Sequence, residues 1–222
     1  MVTAFMATFG IIGVGNVGSQ VARLAVAQGN DVVVANSRGP ETLTELVAEL
    51  GPRARAATAE EAAAAADVAV VSVPLRAYRE IPVEPLGGKI VLDTNNYMVW
   101  RDGHLPDIDS GRVTEHELRQ QQLPTSRLAK AFTHVQAPNL FRLARPAGAP
   151  DRLALSVSSN HPDAVAFVTR LYDQIGYDTV DNSPLRESWR TTPGTPAWFH
   201  HDRQGREALA ENLRRARRVA RP

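Results

Sequence analysis

Apolar runs alternate with amphipathic segments along most of this chain. Thr8 to Val14 is a continuous apolar run that ends in glycines, which is typical of a strand buried on both faces of a parallel sheet. From Val17 to Gln28, apolar residues recur at helical spacing, and Gly29 is placed to end that helix. The run DVVVAN then predicts a second strand. The first part of the chain is therefore predicted to form a strand, a helix and a second strand.

The rest of the chain continues this alternation. Helices are predicted over 40–50, 59–66, 114–122 and 162–175, two of them opened by Thr-x-x-Glu capping boxes. Strands are predicted in RARAA, DVAVVSVP, KIVLDTNN, SRLAKAFTHV and DRLALSVSS, and over 177–180. Because parallel strands need crossover connections, this order predicts an α/β fold with a doubly wound, mostly parallel sheet of the Rossmann type.

Composition narrows the classes of function. The 222 residues are 43% hydrophobic, which is enough to bury one substantial core. The net charge of +1 gives no overall field of the kind that marks a nucleic-acid binder, so we expect no nucleic-acid partner. The absence of cysteine excludes disulfides and thiolate catalysis and fits a cytoplasmic protein. No stretch approaches the ~20 apolar residues of a membrane helix, so we expect no membrane partner.

A glycine-rich turn follows the first predicted strand. GIIGVGNVGSQ contains Gly13, Gly15 and Gly18 in the spacing of a dinucleotide-binding turn. In such a turn the first glycine permits the tight bend, the second admits the pyrophosphate and the third lets the helix pack on the strand. We predict that these glycines, together with Asn16 and Val17, bind a dinucleotide cofactor.

The second predicted strand ends without the carboxylate that NAD sites place there to bind the ribose hydroxyls. Asn36, Ser37 and Arg38 occupy this position. A carboxylate would repel a 2′-phosphate, whereas the Arg38 guanidinium can bind it through charge-assisted hydrogen bonds and Ser37 adds a hydroxyl donor. These residues favour NADP(H) over NAD(H) and predict an NADP-binding domain over 1–183.

Three stretches of the chain carry a family resemblance: GIIGVGNVGSQVARLAVAQGNDVVVANSRGPETL, ADVAVVSVPLRAY and GKIVLDTNNY. From about Phe9 to Ser183 the chain resembles NADP oxidoreductases that depend on the deazaflavin coenzyme F-420. The resemblance implies hydride transfer between NADP(H) and a flavin-like ring, with F-420, FMN or FAD as a second substrate. It also implies that Ser72, Val73 and Pro74 contact the cofactor at a strand end.

The same resemblance implies the position of the reacting rings. The loop after AKAF would lie beside the nicotinamide and the second substrate, which assigns a catalytic role to Thr133 and His134. Hydride transfer between stacked rings needs orientation more than acid–base groups. His134 is also a candidate proton donor for a carbonyl or imine, and the alternative is a hydrogen-bonded loop histidine without a chemical role.

Asparagine and tyrosine side chains near another strand end are further candidates. Asn95 and Asn96 are placed to bind the nicotinamide amide or a ring carbonyl, and the alternative for both is turn formation. Tyr97 is a second candidate proton donor that would face the crevice at the strand ends.

The pattern changes after Ser183. A tail over 184–222 contains PGTPAWF, predicted as an ordered loop whose aromatic residues pack on the sheet, cover the crevice or cross a subunit boundary. REALAENLRRARRVARP predicts an exposed helix with an apolar stripe. The adjacent His200 and His201 lack the spacing of metal ligands, so we expect no metal site.

Two other functions are compatible with these motifs. An NADPH-dependent reductase of a small imine or carbonyl compound is one, but its relatives append a long helical domain, whereas only the tail over 184–222 is present here. A non-catalytic NADP(H)-sensing module is the other. We also expect a homodimer, because the short tail is insufficient to close the crevice alone.

Overall fold

The computed structural model of the protein describes residues 6–199 and 204–218. Within these residues, eight strands form one sheet in the order β3-β2-β1-β4-β5-β6-β7-β8. The strands are β1 (Thr8–Ile12), β2 (Asp31–Ala35), β3 (Ala54–Ala56), β4 (Val68–Val71), β5 (Ile90–Asp93), β6 (Arg127–Lys130), β7 (Ala154–Ser159) and β8 (Asp178–Asp181).

The sheet is mostly parallel, as predicted. Strands β1 to β6 pair in parallel, β7 is antiparallel to β6, and β8 is parallel to β7. The chain leaves β1 toward β2 and β3 and then returns to build β4, β5 and β6 on the other side. This reversal opens a crevice at the carboxyl ends of β1 and β4, where ligands of such sheets bind.

The helices of the described residues connect these strands. They are α1 (Asn16–Ala27), α2 (Thr44–Leu50), α3 (Ala59–Ala65), α4 (Val99–Asp102), α5 (Pro106–Asp109), α6 (Glu115–Gln122), α7 (Asn139–Arg142), α8 (Pro162–Gln174), α9 (Pro196–Phe199) and α10 (Arg206–Arg215). Short 3₁₀ segments lie over 40–43, 75–80, 84–86 and 185–191. None of these helices is both long and apolar enough to cross a membrane.

Helices cover both faces of the sheet because successive strand residues point to opposite sides. Ile11 of β1 packs in a core with Val21 of α1 and Val168 of α8. Its neighbour Ile12 packs on the other side with Ala63 of α3. The two-sided burial explains why β1, β2 and β4 are apolar over most of their length rather than alternating.

Gly10 in β1 accounts for the alanine-rich helix. A Cβ atom on Gly10 would overlap the carbonyl oxygen of Ala62, so α3 packs directly on the backbone of β1. Alanine permits this approach and is the best helix former. The predicted capping box is present, with the Thr58 hydroxyl accepting from the Glu61 amide and the Glu61 carboxylate accepting from the Thr58 amide.

Three predicted strands are longer in the sequence than in the structure. DVAVVSVP, KIVLDTNN and SRLAKAFTHV stop as strands at Val71, Asp93 and Lys130. The residues that follow leave the sheet at its carboxyl edge and form loops there. The ends of these runs therefore belong to the crevice rather than to the sheet.

The tail packs against the antiparallel end of the sheet. In α10, Leu209 and Leu213 are buried in a cluster with Ala154 of β7 and Ala197 of α9. The prediction of an exposed terminal helix is therefore wrong for this face, because its apolar stripe covers β7. The helix ends at Arg215, and His200 and His201 lie outside the described residues.

Candidate active site

The glycine turn after β1 has three different local environments. Gly13 has φ +95°, and a Cβ there would lie 2.5 Å from the carbonyl oxygen of Ser72. A Cβ on Gly18 would overlap the carbonyl oxygen of Gly13, so α1 requires glycine at this position. A Cβ on Gly15 would meet no atom within 4 Å. Gly13 and Gly18 are thus required by close packing, whereas Gly15 borders open space.

The N-terminus of α1 adjoins that open space. Gly15 occupies the N-cap position without a side-chain cap, and the first turn of α1 contains no acidic residue. Backbone N–H groups at an uncapped helix N-terminus favour an anion such as a pyrophosphate. The geometry around Gly15, Asn16 and Val17 therefore fits the diphosphate of a dinucleotide.

Asn36 organises the turn after β2. Its Oδ1 accepts from the Arg38 amide at 2.9 Å, and its Nδ2 donates to the Thr42 hydroxyl at 2.9 Å. Ser37 and Arg38 are exposed beside it. The carboxylate of Glu41 lies against Gly39, so one acid adjoins this basic position. The turn thus presents a hydroxyl and a guanidinium, with Glu41 as an exposed neighbour.

Ser72, Val73 and Pro74 follow β4 and support the glycine turn. The Ser72 amide donates to the Ile12 carbonyl at 2.8 Å, which extends the pairing of β4 with β1. A Cβ on Gly13 would also lie 2.6 Å from Val73 Cγ1. These residues lie behind the turn and do not line the pocket that Thr133 and His134 form at the carboxyl edge of the sheet. Their predicted contact with the cofactor stays a prediction.

A pocket of about 530 Å³ lies at the carboxyl edge of the sheet. This volume falls within the range of about 300–1,000 Å³ that is typical of small-molecule sites. The walls come from the start of α1, the ends of β5 and β6, and the tail: Asn16, Val17, Ser19, Gln20, Thr94, Asn96, Phe132, Thr133, His134, Val135, Gln136, Ala137, Pro138 and Trp198. None of these lining residues is Asp, Glu, Lys or Arg.

The two adjacent asparagines have different positions. Asn95 is buried, and both its amide N–H and its Nδ2 donate to Asp93 Oδ1, so it forms a turn. Asn96 lines the pocket, where its Nδ2 donates to the Thr133 carbonyl at 2.7 Å. Its buried Oδ1 has no hydrogen-bond partner in the described structure. Asn95 therefore forms the turn that was the alternative for it, so its predicted role in cofactor binding stays a prediction, and Asn96 remains a candidate.

Thr133 and His134 both reach the pocket. The buried Thr133 hydroxyl has no hydrogen-bond partner among the described residues. His134 is buried, and its Nε2 accepts from the Ser156 amide of β7 at 2.9 Å. An acceptor role at Nε2 places the proton of the neutral imidazole on Nδ1. The structure thus orients His134, and a catalytic role for both residues stays a prediction.

Phe132 fixes the path of the loop that follows β6. It has φ +60°, which is rare for a residue other than glycine and marks a strained backbone. Its amide donates to the Tyr172 hydroxyl at 2.8 Å, and the two rings meet edge to face at 5.1 Å. Burial raises the pKa of Tyr172, so its hydroxyl stays neutral. No local sequence signal indicated this support from α8.

Tyr97 faces away from the pocket. Its hydroxyl lies 2.8 Å from Asp109 Oδ1 and accepts from the Leu105 amide at 3.0 Å. Its ring is buried with Leu75 and Ile108. The prediction that Tyr97 serves as a proton donor in the crevice is therefore wrong, because the chain turns after Asn96 and buries the ring under α4 and α5.

A buried polar cluster lies behind Asn95. Asp93 Oδ2 lies 3.0 Å from His116 Nδ1 and 3.8 Å from Arg119 Nε, and all three side chains are fully buried. Burial by itself raises the pKa of Asp93, but the charges of His116 and Arg119 and the hydrogen bonds from His116 and Asn95 lower it to about 2. Burial lowers the pKa of Arg119.

Trp198 is the contribution of the tail to the pocket. It lies on α9, whose Ala197 is buried against α10. Of the three positions proposed from the sequence for PGTPAWF, the structure places Trp198 in the crevice wall. Among the described residues, no group of acidic and histidine side chains has the arrangement of a metal site.

A mostly parallel sheet that reverses its strand order beside an open glycine turn defines a Rossmann-type fold, a class whose members commonly bind dinucleotides. Residues 8–97 match the family described as NADP oxidoreductase coenzyme F420-dependent. The resemblance predicted from the sequence is therefore confirmed for this part of the chain.

Solved structures extend the likeness of fold. A Sinorhizobium meliloti protein, SMa0349, is 28% identical with a TM-score of 0.72 and covers 87% of this chain and 93% of its own. A protein of Arthrobacter sp. FB24 described as an F-420-dependent NADP-reductase is 23% identical with a TM-score of 0.69, over 83% of this chain and 87% of its own. An imine reductase from Pseudomonas sp. is 20% identical with a TM-score of 0.56, over 81% and 57%.

A curated relative matches over a shorter region. The Escherichia coli K12 protein YjhV is 40% identical over 53 residues, which is 24% of this chain. The match spans only 39% of the length of YjhV. The likeness to YjhV thus concerns a segment, and its function carries no conclusion for the whole chain.

Proposed function

We propose that this protein transfers a hydride between NADP(H) and the ring of F-420 or a flavin. The observation that carries this proposal is the uncharged pocket, which begins at the N-terminus of α1 and ends at Thr133 and His134. A dinucleotide with its diphosphate at Gly15 would extend its nicotinamide toward this pocket. The NADP-dependent family match over 8–97 supports the same cofactor.

Two orphaned polar atoms in the pocket fit a nicotinamide. Asn96 Oδ1 is an acceptor and the Thr133 hydroxyl is a donor, and both are buried without a partner in the described structure. A primary carboxamide offers one N–H₂ donor and one carbonyl acceptor, which complements this pair. The hydrogen bond from Asn96 Nδ2 to the Thr133 carbonyl holds the two residues together.

Hydride transfer between stacked rings suits the chemistry of these walls. When bound, NADPH supplies the hydride, and the acceptor ring takes up that hydride together with a proton. The chain has to orient the rings and exclude water, for which a catalytic triad is unnecessary. His134 is the titratable side chain among the pocket-lining residues, and its Nε2 is already engaged by Ser156. A ring acceptor can take its proton from solvent after hydride transfer, so these walls suit it better than an imine or carbonyl compound, which needs a positioned proton donor.

An NADPH oxidation screen tests the proposed function. We expect the purified protein to oxidise NADPH when F-420 is added, with FMN, FAD and riboflavin as alternative acceptors, and to oxidise NADH more slowly. Absorbance of the reduced nicotinamide reports the rate. Tight NADPH binding without turnover on any of the four acceptors would instead support a sensing module and contradict the proposal.

Replacement of Arg38 tests the choice of cofactor. Because charge-assisted hydrogen bonds to a phosphate contribute about 1.5–3 kcal/mol, we expect Arg38→Ala to weaken NADPH binding by about 10- to 100-fold. NADH affinity should change little, since NADH lacks the 2′-phosphate. Nicotinamide fluorescence titrations of both cofactors measure the two constants.

Arg53→Ala is the matched control for this experiment. Arg53 is also exposed, but it pairs with Asp31 at the opposite end of β2. Arg53→Ala should leave the affinities for NADPH and NADH unchanged. Equal losses of NADPH and NADH affinity in Arg38→Ala would show that Arg38 does not bind the 2′-phosphate.

A further inference from the structure

The backbone around Trp198 is held in place by the tail. The Trp198 amide donates to the Thr195 carbonyl at 3.1 Å, and the Thr195 hydroxyl donates to the Thr192 carbonyl at 2.8 Å. Gln204 Nε2 donates to the Ala197 carbonyl at 2.7 Å. Burial of Ala197 against Leu209 fixes α9 on the sheet. The tail therefore presents a partly buried indole at a defined position in the pocket wall.

The other walls leave room for a flat ligand. Phe132, Val135, Ala137 and Pro138 supply apolar surface, and the polar lining residues near them carry no carboxylate, ammonium or guanidinium. Such a surface binds an uncharged ring system and leaves charged substituents at the mouth of the pocket. An indole adds a π-face, which contributes most when it stacks on another aromatic system.

We propose that Trp198 is a specificity-determining residue that stacks on the planar ring of the hydride acceptor. The tail thereby selects flat aromatic acceptors of the deazaflavin and flavin class over small aliphatic imines or carbonyl compounds. This inference rests on the proposed function, because it assigns Trp198 to the second substrate of the same site. In this arrangement the nicotinamide is bound by Asn96 and Thr133, which follow β5 and β6, and not by the tail.

Substitutions at Trp198 distinguish effects on binding of the acceptor from effects on binding of the cofactor. Stacking on an aromatic side chain contributes substantially to the binding of a planar ring, so we expect Trp198→Ala to raise the KM for F-420 by about tenfold or more. The Kd for NADPH should remain within about twofold of the wild-type value. Trp198→Phe should restore most of the acceptor affinity, because it keeps a π-face.

Trp100→Ala is the matched control, since Trp100 is 83% exposed on α4 and lies outside the pocket lining. Thermal unfolding of each variant verifies that α9 and α10 still pack. An unchanged KM for F-420 in a folded Trp198→Ala variant would overturn the inference. So would a rise in KM that Trp198→Phe does not reverse at all.

Equilibrium binding distinguishes this inference from the proposed function. Riboflavin and F-420 are titrated into the protein saturated with NADP⁺, with calorimetry as the readout. Ring binding that Trp198→Ala weakens, without any turnover in the wild type, supports the stacking role and removes the proposed hydride transfer. Failure of the wild-type protein to bind either ring overturns both.

Discussion

Gly15→Ala is expected to weaken NADPH binding by at least about 100-fold while leaving the fold intact. Gly15 has φ −75° and ψ −153°, a conformation that alanine adopts without strain, and its Cβ would meet no protein atom within 4 Å. The added methyl group instead occupies the space through which a pyrophosphate approaches the backbone. Fluorescence titration with NADPH and urea unfolding measure the two effects.

Gly18→Ala is the contrasting variant for this prediction. Its Cβ would overlap the carbonyl oxygen of Gly13, so α1 has to move away from β1. Overpacking of this kind costs about 1–3 kcal/mol of unfolding free energy. Equal destabilisation by Gly15→Ala and Gly18→Ala would contradict the open space at Gly15. Normal NADPH affinity in Gly15→Ala would place the diphosphate elsewhere.

Asp93→Asn is expected to lower the free energy of unfolding by about 3–5 kcal/mol. The substitution preserves size but removes the charge that faces His116 and Arg119 in the interior. Removal of one partner from a buried ion pair leaves the Arg119 guanidinium uncompensated, and that loss dominates the effect. Urea unfolding measures it.

Asp163→Asn serves as the comparison. Asp163 is an exposed carboxylate that pairs with Arg127 on the surface, so its loss should change stability little. If the free energy of unfolding fell by the same small amount in Asp93→Asn and Asp163→Asn, the buried cluster at Asp93 would contribute no more to stability than a surface ion pair.

The low pKa of Asp93 also predicts a loss of stability in acid. Its ordinary pKa of 3.8 falls to about 2 in the folded protein, so its contribution is complete above about pH 4 and is lost as the pH falls toward 2. The shift corresponds to about 2 kcal/mol. Unfolding curves between pH 5 and pH 2 should show a loss that is absent in Asp93→Asn.

The sequence predicted the strands, the glycine turn and the helix starts well because these features depend on local patterns. The order of strands, the glycine turn and both capping boxes follow from residues close together in the chain. Hydrophobic periodicity and glycine spacing report on such local geometry directly.

The pocket side was harder to predict because distant residues decide it. Asn95 and Asn96 are identical neighbours, yet hydrogen bonds to Asp93 bury the first and leave the second in the pocket. The end of β6 depends on Tyr172 from α8, and His134 depends on β7 running antiparallel. No local pattern in AKAFTHV signals either partner.

The distance along the chain between the segments that form the pocket has a consequence for the order of folding. The turn around Gly15 lies among β1, β2 and β4, all of which end by Val71, whereas the pocket joins the start of α1 to residues 132–138 and then to Trp198. Closing longer chain loops costs more entropy, so contacts of large sequence separation form later. We therefore expect β1 to β4 and the glycine turn to fold first, and the pocket formed with residues 132–138 and Trp198 to be completed later.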